Sequence, residues 1–197
     1  YISNPPILDS ALAQTLHPSP IMKSSHFHKE QKYFHLSIHF NKIFPIQSLF
    51  WISLQKKIKY ISNQFEIEVQ ALLLMNTHVH CIIMTNKQNN ENYFAETIQK
   101  EISDTPELAF VEPILSFSQY QNTYKYIYRN PVAAGICSRV EDYPHSSLFN
   151  LIGKGVNHFL VHDQLGLVQN TLSTLKWLNS LENISSYEKD WRHLNSF

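Results

Sequence analysis

Residues 72–84 read Leu-Leu-Leu-Met-Asn-Thr-His-Val-His-Cys-Ile-Ile-Met, with His78 and His80 set between two apolar runs. Side chains two positions apart in a strand point to the same side, so both imidazoles are expected to project together while Val79 enters the core. Two neutral imidazoles on one rigid element can bind a divalent metal when a further ligand joins them. The pair could equally be exposed or hydrogen-bonded histidines on a sheet, and the spacing alone leaves both interpretations open.

The segments around this stretch predict a sheet covered by helices. Residues 33–40 alternate between apolar and polar side chains, which indicates a half-buried strand, and apolar residues at near-helical spacing predict a helix over 46–63. The other predicted elements are strands at 65–75, 79–84 and 110–117 and helices at 93–102, 118–128 and 164–182. This order, with a local hairpin and crossing helices, predicts an α+β fold with a mostly antiparallel sheet.

The helix predicted from Ser118 is rich in tyrosine. Ser118 suits its N-cap, and a proline at 131 predicts that the helix ends or kinks near Asn130. One side of the helix is typical of a core and carries Tyr120, Tyr124 and Ile127. The other side carries Tyr126 and, one turn later, Asn130, an arrangement that could place a hydroxyl beside a metal bound in part by an amide oxygen. Packing and hydrogen bonding are the alternative roles for these tyrosines.

Composition bounds the class of protein. The 197 residues suffice for one domain with appendages, and hydrophobic and aromatic contents of 43% and 13% exclude a fully disordered chain. Lys+Arg and Asp+Glu are 16 each, so a nucleic acid would have to be held by a local site and not by overall charge. No apolar run reaches about 18 residues and no leader-like segment opens the chain, so a cytoplasmic protein without a membrane partner is expected. Cys81 and Cys137 are too few for a disulfide framework.

The chain divides into three expected segments. Residues 1–31 are rich in proline and show no sustained periodicity, so they predict an N-terminal arm. Residues 32–150 hold the sheet and its helices, and 151–197 form a C-terminal helical extension. The arm and the extension are the expected sources of target choice or of dimer contacts.

Two stretches resemble a known family. Met75-Asn-Thr-His78-Val-His80-Cys-Ile-Ile resembles the strand signature of the HUH single-tyrosine transposases. Tyr126-Ile-Tyr-Arg-Asn130-Pro-Val-Ala-Ala-Gly-Ile, followed by residues 141–147, resembles their tyrosine-helix block. The REP-associated tyrosine transposases are the subgroup that the chain resembles most. The likeness covers residues 32–150, which are therefore interpreted as an HUH tyrosine transposase domain.

The resemblance implies a site and a reaction. It implies a ferredoxin-like sheet that presents His78 and His80, with Tyr126 as the catalytic nucleophile and Asn130 completing a metal site. The implied cofactor is Mg²⁺ or Mn²⁺, since either ion accepts a mixture of imidazole and amide-oxygen ligands. The implied activity is that of a DNA strand transferase and endonuclease, which cleaves and rejoins single-stranded DNA through a covalent 5′-phosphotyrosine intermediate.

The implied partner is single-stranded DNA with hairpin or palindromic ends. A homodimer is a further possibility that the sequence does not decide. Positive side chains and exposed aromatic rings can follow a single strand by charge and stacking. The cations predicted to contact the DNA are Lys56, Lys59, Lys125 and Arg129. The chain departs from the family pattern at three positions, where it has Asn76 for proline, Arg129 for an apolar residue and His145 for tryptophan.

Three other interpretations compete with this one. A histidine-triad nucleotide hydrolase would need a third histidine where the chain has Ile82. A structural zinc site would have to assemble without any cysteine from His26, His28, His35 and His39. A transposase relative that has lost activity and serves as a nucleic-acid-binding module is the third alternative. A protein that had lost this activity would have no evident reason to retain Tyr126 together with His78, His80 and Asn130.

Overall fold

A computed structural model of the chain describes residues 31–40, 48–102, 109–156, 158–159, 161–163, 166 and 168–180. The predicted arm at 1–31 lies almost entirely outside these residues, as do His26 and His28 of the alternative zinc site. The division of the chain at residues 31 and 150 therefore stays a prediction.

The described elements follow the predicted order of strand, helix, strand, strand, helix, strand, helix. They are β1 (Lys32–His39), α1 (Ser48–Gln64), β2 (Glu68–Leu74), β3 (His78–Thr85), α2 (Asn90–Ile102), β4 (Ala109–Ile114) and α3 (Phe117–Ala133). After them come a 3₁₀ turn (Val140–Asp142), α4 (Ser147–Leu151) and α5 (Thr171–Asn179). All the strands of the described sheet therefore precede α3 in the sequence.

The four strands form one antiparallel sheet in the order β2-β3-β1-β4. β2 and β3 form a hairpin with a short connection, in which the backbone N–H of Met75 donates to the carbonyl of His78 at 2.7 Å. β1 pairs with β3 on one side and with β4 on the other, so it lies in the interior of the sheet. This is the strand order of a ferredoxin-like α+β fold, and the predicted fold class is confirmed.

Apolar cores lie on both faces of the sheet. On one face α1 and α2 pack against residues such as Leu36 and Cys81. On the other face α3 packs against residues such as Tyr33 and Ile82. Successive residues of a strand point to opposite faces, so β1 and β3 send apolar side chains to the α1–α2 face and their histidines to the α3 face.

The prediction for the ends of α3 was wrong at both ends. The N-cap is Ser116, whose side chain accepts a hydrogen bond from the backbone N–H of Gln119 at 3.1 Å, and not Ser118. The helix also continues through Pro131 to Ala133. Proline in the last turn removes a single backbone donor, its ring is buried, and the N–H of residue 134 still donates to the carbonyl of residue 130.

The tail helix is shorter than the predicted 164–182, parts of which lie outside the described residues. The described helix α5 begins at Thr171, because Asn170 caps it by accepting a hydrogen bond from the N–H of Ser173. Leu178 is buried against the α3 core, whereas Leu172 is 79% exposed. The spacing of the leucines thus predicts a larger buried face than the structure has. Within the described part of the chain, no helix has the length and apolar character needed to cross a bilayer.

Candidate active site

The sheet face that α3 covers carries four histidines. β1 contributes His35 and His39, and β3 contributes His78 and His80. The strand register places His39 opposite His78 and Ser37 opposite His80. Alternate residues of a strand share a face, so the four rings stand together in what is called here the imidazole row.

Contacts within the sheet hold this row in place. Nε2 of His35 lies 3.1 Å from Nδ1 of His80, and the two rings are stacked with centroids 5.1 Å apart. His39 and His78 are stacked at 5.3 Å. Nδ1 of His78 lies 2.8 Å from the hydroxyl oxygen of the preceding residue, Thr77. Each ring of the β3 pair therefore has its Nδ1 in a hydrogen bond.

Burial controls the charge of the imidazole row. His35 and His80 are only 3% and 2% exposed. Burial, and then the neighbouring His78, lowers the pKa of His35 to about 3. Burial, and then His39, lowers the pKa of His78 to about 4, although a hydrogen bond to Asn130 opposes the shift. Burial and the neighbouring imidazoles hold the pKa of His80 well below its ordinary value. These three rings are neutral at pH 7, which is the form that binds metals.

Helix α3 places Tyr126 and Asn130 over the row. The ring centroid of Tyr126 lies 5.4 Å from that of His80 and 6.1 Å from that of His35, with the ring planes nearly perpendicular. The side-chain nitrogen of Asn130 donates to the carbonyl of Tyr126, one turn earlier, at 3.1 Å. A hydrogen bond between the Asn130 side chain and His78 raises the pKa of that ring. The phenol, the amide and the β3 histidines thus meet at one place.

The other tyrosines of α3 lie in the core. They are Tyr120, Tyr124 and Tyr128, each 2% exposed or less. Burial is the first cause that raises the pKa of all three phenols. Tyr128 shares a hydrogen bond with the hydroxyl of Ser147 at 2.7 Å. Tyr126, which is half-buried, is the tyrosine of this helix that faces the imidazole row.

The donor set is a mixture of imidazole nitrogen and amide oxygen. No group of three or more His, Cys, Asp or Glu side chains in the described residues is arranged to hold a metal. A site at His78 and His80 therefore needs a ligand of another type, and the Asn130 side chain already lies within hydrogen-bond reach of His78. Such a mixed set of imidazole nitrogen and amide oxygen, completed by water, admits Mg²⁺ or Mn²⁺ and does not choose between them.

Two of the predicted DNA contacts face the tail helix. Lys125 is 3% exposed, its ammonium donates to the hydroxyl of Ser180 at 2.9 Å, and it lies 5.6 Å from the ring centroid of Trp177. Arg129 donates from Nη1 to the carbonyls of Leu178 at 3.3 Å and Ser180 at 3.1 Å. Both cations therefore bind α5 to α3 in this structure.

The other two predicted contacts, Lys56 and Lys59, are exposed on α1. α1 packs on the sheet face opposite to α3, so these lysines and Tyr126 lie on different sides of the molecule. A role for them in DNA binding stays a prediction.

Sequence reasoning left two residues of this region without a role. His35 entered only the alternative zinc site, yet the structure places it against His80. The signal was the polar side of β1, where His35, Ser37 and His39 alternate with apolar residues. Glu112 of β4 pairs in register with His35, and burial raises the pKa of its carboxyl. Its strand was predicted, but no pattern pointed to the carboxylate.

Comparison with known proteins bears on the fold. No family model matches the sequence, and no curated protein matches it. Among solved structures, the chain is similar to a REP-associated tyrosine transposase bound to a REP hairpin, with a TM-score of 0.51. The chain shares the fold of that protein, a four-stranded antiparallel sheet with helices packed around it. The similarity covers 69% of this chain and 88% of the transposase, at 17% sequence identity. At this identity the likeness establishes the fold, and the roles of residues depend on the geometry of the site.

Proposed function

We propose that the chain is a metal-dependent single-stranded DNA transposase and nuclease that works through a covalent 5′-phosphotyrosine. One observation carries this conclusion: a single half-buried tyrosine, Tyr126, stands against His80 where Asn130 hydrogen-bonds to His78. Such a reaction uses a nucleophile beside a bound divalent cation, and two neutral imidazoles with an amide can hold that cation. The similarity in fold to a tyrosine transposase supports the assignment.

In the proposed reaction, the phenolic oxygen of Tyr126 attacks a phosphodiester of the DNA. The bond between that oxygen and phosphorus forms while the bond between phosphorus and the 3′-oxygen breaks. The phenol loses its proton and the departing 3′-oxygen gains one. The products are a free 3′-hydroxyl and a 5′-phosphate linked to the protein, and a second 3′-hydroxyl can reverse the step because the new bond is also a phosphodiester.

His78, His80 and Asn130 are the residues that would hold Mg²⁺ or Mn²⁺. When bound, the cation would polarise the phosphate oxygens and neutralise charge that develops as the bond breaks. The chain itself keeps the imidazoles neutral by burial and orients the amide by a hydrogen bond within α3. It also presents Tyr126 from a helix that is packed on the sheet, which limits the motion of the nucleophile.

The proposed substrate is single-stranded DNA that carries a hairpin. Support comes from the similar transposase, which is bound to a REP hairpin. Of the four predicted cations, Lys125 and Arg129 hold α5, while Lys56 and Lys59 face solvent on the far side of the sheet. A strand that used both Tyr126 and the α1 lysines would have to pass around an edge of the sheet.

A transfer assay tests the proposed function. Hairpin oligonucleotides with randomised single-stranded flanks, labelled at the 3′ end, are incubated with the protein and Mn²⁺. The label is expected to move to a protein band that survives denaturation, because the fragment on the 3′ side keeps the phosphate. The same oligonucleotides labelled at the 5′ end are expected to yield only a shorter free fragment.

Matched variants identify the nucleophile. Tyr126→Phe is expected to abolish the adduct, whereas Tyr124→Phe removes a hydroxyl from the core side of the same helix and is expected to retain it. An adduct that persists in Tyr126→Phe would assign the nucleophile to another residue. DNA binding by the wild-type protein with no adduct at all would favour the alternative of a catalytically idle nucleic-acid-binding module.

A further inference from the structure

The two histidines of β3 share a feature that the proposed reaction does not use. His80 meets Nε2 of His35 through its Nδ1 at 3.1 Å, and His78 meets the hydroxyl of Thr77 through its Nδ1 at 2.8 Å. In both rings, the nitrogen in this hydrogen bond is Nδ1. These two hydrogen bonds leave Nε2 of each ring for a cation.

Hydrogen bonding between two neutral imidazoles has only two forms. Either Nδ1 of His80 carries the proton and donates to His35, or Nε2 of His35 carries it and donates to His80. A neutral imidazole has one N–H, so in the second form the proton of His80 would sit on Nε2 and block a metal there. Metal binding through Nε2 of His80 therefore requires the first form, with His35 as acceptor.

We propose that His35 is a positioning residue that holds His80 as the Nδ1–H tautomer with Nε2 directed at the metal, and that Thr77 does the same for His78. This inference rests on the proposed function, because it concerns the same metal site. A ligand histidine usually donates its second ring N–H to a neighbouring acceptor, which fixes both tautomer and orientation. Here the acceptor for His80 is a second imidazole from the next strand.

The surroundings of His35 argue against a purely packing role. His35 is only 3% exposed, and its strand neighbour two residues away on the same face, Tyr33, packs in the α3 core. An apolar side chain at position 35 could join the same core and would avoid the free-energy cost of burying a polar ring. The position holds a histidine whose Nε2 meets His80 and whose ring centroid lies 6.1 Å from that of Tyr126.

The first test is spectroscopic and uses metal-free protein. Nitrogen-15 NMR of the histidine rings at pH 7 distinguishes the tautomers by the shift of each ring nitrogen. His80 and His35 are both expected to be protonated at Nδ1 and unprotonated at Nε2. Protonation of His80 at Nε2 would overturn the inference, whatever the DNA assay shows.

The second test measures Mn²⁺ binding by isothermal titration without DNA. His35→Leu removes the acceptor and is expected to weaken Mn²⁺ binding by about 10- to 100-fold. His35→Gln retains an amide oxygen that can accept from His80 and is expected to stay within a few-fold of the wild type. Thr77→Val keeps the shape of threonine without its hydroxyl and is expected to weaken binding in the same direction as His35→Leu.

The outcomes separate this inference from the proposed function. Wild-type affinity in a folded His35→Leu protein would overturn the inference and leave the DNA reaction untouched. Normal Mn²⁺ binding with the expected tautomers but no covalent adduct would remove the proposed reaction and keep the positioning role. No Mn²⁺ binding by the wild-type protein would overturn both. Should His35→Leu fail to fold, as judged by circular dichroism, the NMR result and Thr77→Val still decide.

Discussion

The two sides of α3 carry the same residue type in different environments. Tyr120, Tyr124 and Tyr128 are buried in the core with raised pKa values, while Tyr126 is half-buried and faces the imidazole row. Steps of four residues keep the first three on one side, and an offset of two residues turns Tyr126 to the other side. Burial, not residue type, therefore separates a structural phenol from one that can reach a substrate.

Truncation of the tyrosines should produce the largest difference between the two sides. Tyr124→Ala removes a buried ring and is expected to lower the free energy of unfolding by about 3–5 kcal/mol. Tyr126→Ala removes a half-buried ring and is expected to cost about 1 kcal/mol, within the range of ordinary substitutions. Urea denaturation followed by circular dichroism measures both. Equal losses would show that Tyr126 belongs to the core, which would also undermine its proposed role.

Acid should weaken the site side of the sheet. The folded-state pKa values of His35 and His78 are lowered to about 3 and about 4. Below pH ~6.5 these histidines are therefore protonated in the unfolded chain but not in the folded chain, which favours unfolding. The stability due to neutral burial is complete above that pH and is lost as the pH falls toward 4. Between pH 7 and 5.5, the free energy of unfolding is expected to fall by about 2.5 kcal/mol for these two rings together.

Urea denaturation at the two pH values, with EDTA present to exclude metals, measures this loss. His35→Gln removes one of the three buried neutral rings and should flatten the pH dependence by roughly a third. The core phenols, whose pKa values are raised, do not titrate in this range and contribute nothing to the change. An unchanged free energy of unfolding between pH 7 and 5.5 would contradict neutral burial of the row.

The faces of the sheet could be predicted because alternation is local. Period-two patterns in β1 and β3 indicate which side chains share a face, so the sequence alone suffices to group His78 with His80. Helical spacing likewise placed Tyr126 and Asn130 on one side of α3. The structure brings these four residues together, and their roles in catalysis remain the proposal made above.

Contacts between distant elements could not be predicted from such patterns. The pairing of His35 with His80 depends on the register of β1 against β3, which alternation alone does not specify. The predicted DNA contacts Lys125 and Arg129 have the charge of phosphate-binding residues, but residues of the α5 segment contact them from 49 or more positions away in the sequence. Charge in a sequence does not show whether a later segment will cover it.

The contacts between Arg129 and α5 can be removed, and the expected loss of stability is smaller than that for truncation of a core tyrosine. Arg129→Ala deletes donors to two carbonyls at the end of α5 and is expected to lower the free energy of unfolding by about 1–2 kcal/mol. Hydrogen exchange of residues 171–179 should accelerate, because the helix loses an anchor. Lys59→Ala, on the exposed side of α1, is the matched control. It should change the free energy of unfolding by no more than about 0.5 kcal/mol and leave the hydrogen exchange of residues 171–179 unaltered. Unchanged exchange in Arg129→Ala would mean that α5 is held by its apolar contacts alone.

The smallest expected effect concerns the start of α3, where prediction and structure differ by two residues. Ser116→Ala removes the oxygen that accepts from the N–H of Gln119 and is expected to cost about 1 kcal/mol. Ser118→Ala changes an exposed serine inside the first turn and is expected to be neutral or stabilising by a few tenths of a kcal/mol, because alanine has the higher helix propensity.

Urea denaturation of the two alanine variants locates the cap, because only the serine that caps the helix should lose stability when its side-chain oxygen is removed. A larger loss for Ser118→Ala would move the N-cap back to its predicted position and shorten α3 by two residues at that end. The position of Tyr126 would not change in either case, because it is held by packing two turns further along and by its approach to His80. The cap therefore sets where the helix begins, and the sheet beneath sets which tyrosine it presents.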